Sequence, residues 1–131
     1  MRILVVEDNP ADLFVLREAF REKGVDAELQ VIEDGESAAH HIADIGSGKA
    51  TGPDLLILDL NLPRIEGSDL LAKLRATKGC EAVPVLIFTS SDAPRDRALA
   101  TQFNAFYFRK PTDLDEFLSV GEVVKGLLAK K

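Results

Sequence analysis

Leu55-Leu56-Ile57-Leu58-Asp59 decides the fold: four aliphatic residues closed by a carboxylate, with Pro53 before them and Asn61 and Pro63 after. An apolar run of this length between turn residues reads as a strand buried on both faces. Strands of that kind belong to parallel sheets covered by helices. Open parallel sheets bind their ligands just beyond the carboxyl ends of the strands, so Asp59 stands where a ligand would. Ile3-Leu4-Val5-Val6 repeats the pattern and is followed by Glu7-Asp8. Two strand ends closed by acids point to a pocket that needs a cation.

Outward from these two runs, strand and helix signals alternate along the chain. After a first strand over about residues 2–6, Asn9 and Pro10 read as an N-cap and a first helical residue. Leu13, Leu16 and Phe20 follow at helical spacing, and Gly24 closes the helix. Residues 27–32 alternate and read as a second strand. Asp34-Gly35 turns into a helix over about 36–45, and the Gly-rich stretch 46–53 is a flexible connection to the central strand. Residues 60–66, with Pro63, form a loop into a helix bearing Leu70, Leu71 and Leu74. Residues 80–83 lead to a strand over about 85–88 that ends at Thr89-Ser90-Ser91. Pro94 opens a short polar helix with Leu99 facing inward. A last strand at about 105–108 is terminated by Arg109-Lys110-Pro111. Thr112 and Asp115 form a capping box for the final helix. That helix buries Phe117, Val120, Val124 and Leu127 or Leu128, then frays at Lys130-Lys131.

Five strands alternating with five helices make an α/β, flavodoxin-like doubly wound sandwich with a parallel sheet in the order 2-1-3-4-5. In that order Glu7, Asp8 and Asp59 share one crevice, and Thr89 and Lys110 end at the same rim. A length of 131 residues fits one domain over 1–131, and neither an internal repeat nor a second domain is visible. Hydrophobic residues at 46% and charged residues at 29% are those of a soluble globular chain. Cys80 is the only cysteine, which excludes an internal disulfide and counts against a thiolate metal site; between Gly79 and Glu81 it reads as a loop thiol. A net charge of −6 argues against direct binding to nucleic acid or to anionic membranes. The sequence has neither a membrane-length apolar stretch nor a secretory signal, so the expected location is cytoplasmic. His40 and His41, adjacent on a helix, face different directions and read as solvated. Gly46-Ser47-Gly48-Lys49 lacks the spacing of a phosphate loop, since Ala43 and Ala50 stand where that motif needs Gly and Ser/Thr.

Carboxylates crowded at two strand ends repel one another, by roughly 4 kcal/mol for two charges ~4 Å apart at an effective dielectric near 20. A divalent ion removes that penalty, and an all-oxygen ligand set favours Mg²⁺. Lys110 adds a compact positive charge that can pair with Asp59 and then with a phosphoryl group. The Thr89 hydroxyl and the backbone N–H groups after it can bond the same oxygens. These parts suit attack by Asp59 on phosphorus, giving an aspartyl phosphate.

Glu7-Asp8, Asp59-Leu60-Asn61-Leu62-Pro63 with Gly67, Thr89-Ser90 and Lys110-Pro111 together resemble the receiver (CheY-like) domain of two-component response regulators, over essentially the whole chain. The resemblance implies Asp59 as phosphoacceptor, with Glu7, Asp8, Asp59 and the Asn61 backbone carbonyl as Mg²⁺ ligands. It also implies Thr89, Ser90 and Lys110 as phosphoryl contacts, a cis peptide at Lys110-Pro111, and Thr89 with Tyr107 as a switch. That switch would alter the surface of the fourth helix, fifth strand and fifth helix. Glu7 stands where many receivers have aspartate. The implied partner is a sensor histidine kinase or a histidine phosphotransfer protein. Within the family, the 46–53 loop and the stretch 59–63 resemble single-domain regulators paired with bacterial phytochrome kinases, often homodimers. On this reading the chain has no output domain and catalyses only its own phosphorylation and dephosphorylation. Two alternatives stand beside it. One is a Mg²⁺-dependent phosphatase of the haloacid dehalogenase type, which needs a second aspartate where Asn61 stands. The other is a degenerate receiver acting as a binding module.

Overall fold

A computed structural model describes residues 1–62 and 65–130, so Pro63 of the 60–66 loop and Lys131 of the expected frayed end lie outside the described residues. The strands are β1 (Arg2–Val6), β2 (Glu28–Ile32), β3 (Leu55–Leu58), β4 (Val85–Thr89) and β5 (Phe106–Arg109). Between and after them run α1 (Pro10–Lys23), α2 (Gly35–Gly46), α3 (Gly67–Arg75), α4 (Pro94–Gln102), α5 (Leu114–Leu118) and α6 (Val120–Ala129). All strands are parallel, in the order β2-β1-β3-β4-β5, as the sequence led us to expect.

Strand alternation sorts the aliphatic runs into two cores. Leu4, Val6, Leu56, Leu58, Val85 and Ile87 pack with Ile42 of α2 and with Leu70, Leu71 and Leu74 of α3. Ile3, Val5, Leu55, Ile57, Leu86 and Phe88 pack with Leu16 and Phe20 of α1, Phe117 of α5 and Val120 and Val124 of α6. A strand covered on both faces has no use for polar alternation, which is why β1, β3 and β4 read as unbroken apolar runs. The central strand β3 is buried at all four positions. The edge strands β2 and β5 are only partly covered. Among the described residues no helix is long and apolar enough to cross a membrane.

Caps and close contacts fix the helices. Asn9 Oδ1 accepts from Ala11 N–H at 2.9 Å and Asp12 N–H at 3.3 Å, Pro10 occupies the first position, and Gly24 ends α1 at φ 72°. Gly121 lets α6 lie directly on α1, since a Cβ there would stand 2.6 Å from the Ala19 carbonyl oxygen. At the opposite end of the sheet from the acidic strand ends, the Arg75 guanidinium donates to the carbonyls of Phe103, Cys80, Glu81, Val83 and Asn104. One side chain thereby ties α3 to two loops.

Three local expectations change. The final helix is two segments that meet at Ser119, whose Oγ donates to the Glu116 carbonyl at 2.5 Å while its N–H reaches the same oxygen at 3.2 Å. A serine bonding back to the preceding turn often bends a helix. The N-cap of α5 is Asp113 rather than Thr112: Asp113 Oδ1 accepts from Asp115 and Glu116 N–H. Cys80 sits in a turn yet is fully buried, its small apolar side chain filling the core beneath α2 and α3. As expected, α4 is short and polar, and Leu99, half-covered, packs inward against the α2/α3 core.

Candidate functional site

Three strand ends hold their polar side chains in one way. Glu7 Oε1 accepts from Asn9 N–H at 3.1 Å, Asp59 Oδ1 from Asn61 N–H at 3.0 Å, and Thr89 Oγ1 from Ser91 N–H at 3.2 Å. In each case the side chain accepts the amide two residues on, which turns the chain away from the sheet and fixes the side chain at the crevice. Pairing of Val6 with Leu58 puts Glu7 and Asp59 on adjacent strands, and Asp59 N–H donates to the Val6 carbonyl at 3.0 Å. Both acids fall on the α1/α5 face and are buried, whereas Asp8 is exposed at the mouth. One carboxylate oxygen from each of Glu7, Asp8 and Asp59 lies within 4.8 Å of the others. Each charged pair at that spacing costs roughly 3 kcal/mol at an effective dielectric near 20. A hard divalent cation fits this all-oxygen donor set.

Lys110 enters from the end of β5, where its N–H donates to the Thr89 carbonyl at 2.7 Å. Its side chain is only 10% exposed, and the ammonium lies 5.0 Å from the centre of the Phe88 ring. The three ammonium protons have three carboxylates to meet: Asp12 at 2.7 Å, Glu7 at 3.0 Å and Asp59 at 3.5 Å. Burial alone would lower the Lys110 pKa, but the Asp12 hydrogen bond, the charge of Asp59 and the contacts of Glu7 together raise it above its ordinary value. Burial pushes the Glu7 carboxyl up to about 7, against the opposing pull of Lys110.

A crevice of about 430 Å³ contains Glu7, Asp8, Asp59, Asn61, Ser90 and Lys110 on its walls. It thus brings together six of the residues the sequence singled out. Thr89 ends β4 on the other parity. Phe88 belongs to the α1/α5 core, so the fully buried Thr89 turns toward the α3 face, where its Oγ1 accepts from Asn61 Nδ2 at 3.3 Å. Tyr107 shares that face, is half-buried, and donates its hydroxyl to the Ser91 carbonyl at 2.6 Å under the Arg97 guanidinium. The expected cis peptide at Lys110-Pro111 is not found; the described residues contain none. An X–Pro bond favours trans by only about 0.5–1 kcal/mol, and the trans form already delivers both the Lys110 N–H and its ammonium to their partners. Among the described residues, Asp12 is a charged residue of the site that the sequence reading missed. Its signal was present: an Asn9 cap with Pro10 at the first position puts Asp12 in the first turn of a helix that starts beside the acidic strand end.

An acidic, lysine-bearing crevice at the switch point of a 2-1-3-4-5 sheet defines a doubly wound α/β domain whose clustered carboxylates fit a divalent metal. The chain belongs to the response regulator receiver domain family, which it matches over residues 3–121. It is therefore a signalling domain of the two-component type, and the phosphatase alternative is not favoured. The response regulator Rcp1 of Synechocystis is 33% identical over 90 residues, 68% of this chain and 61% of that protein. The probable methanogenesis regulatory protein FilR2 of Methanothrix harundinacea is 29% identical over 94% of this chain and 80% of its own length. Among solved structures, the phosphorylated cyanobacterial phytochrome response regulator RcpA superposes with a TM-score of 0.86 at 27% identity, covering 99% of this chain and 95% of that one.

Proposed function

We propose that Asp59 accepts a phosphoryl group from the phosphohistidine of a sensor histidine kinase, or of a histidine phosphotransfer protein, in a step that requires Mg²⁺. The observation that carries this reading is the buried Asp59 carboxylate with Lys110 3.5 Å away and the Glu7 and Asp8 oxygens beside it. An Asp59 oxygen forms the new O–P bond while the donor's P–N bond breaks, its electron pair returning to the imidazole. Asn61 N–H occupies Oδ1, which leaves Oδ2 facing the lysine.

Glu7, Asp8, Asp59 and the Asn61 carbonyl would hold the metal. Bound there, Mg²⁺ offsets the carboxylate repulsion and the charge of the phosphoryl oxygens. Lys110 and the Ser90 region meet those oxygens from the other wall. That the structurally similar response regulator Rcp1 has a Mn²⁺-bound form supports a divalent ion for this chain. The phytochrome regulators among the structural relatives support a bacterial phytochrome as the kinase.

Phosphorylation replaces the single negative charge of Asp59 with a group carrying about −1.5 to −2. Thr89 would exchange Asn61 for a phosphoryl oxygen, Tyr107 would repack on the same face, and the α4–β5–α5 surface would follow. Incubation with MgCl₂ and acetyl phosphate, read by intact mass, should give one phosphoryl adduct that needs the metal. Asp59→Asn should abolish it. An unmodified wild type, or an adduct that survives in the variant, would show the reading to be wrong.

A further inference from the structure

Lys110 makes its shortest contact with Asp12 of α1, not with either strand-end acid. Asp12 is held in place by the Asn9 cap on its own N–H and by a helix packed on α5 and α6. It is also outside the group of three carboxylates that can share a metal, so it can be changed without removing a ligand. Asp59 has the longest of the three contacts, and Glu7 would be drawn to a bound cation.

From this geometry we propose that Asp12 is a positioning residue for Lys110: it retains the ammonium on the α1 side and competes with the phosphoryl group for it, so shortening the life of the aspartyl phosphate. The proposal rests on the reading of Asp59 as phosphoacceptor. Once the phosphoryl group is in place, the lysine has two calls on it. Every proton it keeps on Asp12 is one not given to a phosphoryl oxygen. Loss of the adduct is hydrolysis: water attacks phosphorus, the Asp59 O–P bond breaks with its electron pair returning to the carboxylate, and inorganic phosphate leaves. Lysine pairing with the phosphoryl oxygens stabilises the state before that step, and removal of the Asp12 charge lets the pairing become complete.

The test starts from full-length protein phosphorylated with acetyl phosphate and Mg²⁺, freed of donor, with adduct decay followed by intact mass. Asp12→Asn, which keeps the shape of the side chain, should lengthen the half-life about tenfold, the ratio that one charge-assisted hydrogen bond supports. Asp12→Glu, which restores the charge and can reach the ammonium, should return it to within about twofold of wild type. A half-life unchanged or shortened in Asp12→Asn overturns the proposal, as does Asp12→Glu behaving like Asp12→Asn. Failure of the wild type to form an adduct refutes the phosphoacceptor reading instead, so the two failures are distinct.

Discussion

Lowering the pH from about 8 to about 6 should weaken Mg²⁺ binding about tenfold, because the cation and a proton compete for Glu7. The Glu7 carboxyl, buried and beside Asp59, sits at about 7. At about pH 8 roughly one chain in eleven carries the proton, and at about pH 6 roughly ten in eleven do. If only the ionised form binds the metal, the apparent dissociation constant rises by that ratio, about 1.4 kcal/mol. Calorimetric titration of MgCl₂ at constant ionic strength measures it directly. Glu7→Gln should bind more weakly and lose this part of the pH dependence. The same shift has an opposite face in the metal-free chain. Between the unperturbed 4.5 and the folded value of about 7, the folded chain keeps a proton that the unfolded chain has released. Stability should therefore fall as pH rises through that window, by at most about 1.4 kcal/mol per unit, and saturating Mg²⁺ should flatten the slope. Equal affinities at the two pH values would refute the assignment of Glu7, and so would an undiminished pH dependence in Glu7→Gln.

Two further perturbations test the frame around the site. Arg75→Ala should lower unfolding free energy by about 2 kcal/mol, seen as an earlier urea midpoint, because five carbonyls lose their donor. Gly121→Ala should cost about 1–3 kcal/mol in the same assay, since the new methyl meets the Ala19 carbonyl and helices α1 and α6 must separate.

Where the chain obeys one rule at a time, its sequence was readable. Apolar runs closed by Glu7, Asp59 and Thr89 gave strand positions, and the crevice rule then placed all three at one rim. Gly24 and Pro10 set both ends of α1 without tertiary help. The misses came where two local forces compete or where distant elements meet. Ser119 carries no helix-breaking signal by itself, and the break depends on its hydroxyl choosing the Glu116 carbonyl. Thr112 and Asp113 are adjacent cap formers, and the sequence does not separate neighbours of near-equal strength. The Lys110-Pro111 isomer turned on a preference of only about 1 kcal/mol. Asp12 and Lys110 stand 98 positions apart, and no local signal along the chain pairs the first turn of α1 with the end of β5.

Consider finally that β5 is paired on one side alone, with β4. A displacement at Thr89 has a short way out of the molecule: across one ladder, through Tyr107 and Arg109, to open solvent. In the other direction it would have to strain β3, which is buried at every position and tied to β1. The sheet is thus asymmetric about β4, half-open at β5 on one side and fully buried at β3 on the other. Residues such as the 47% exposed Phe106 can be exchanged without touching the acids at the ends of β1 and β3.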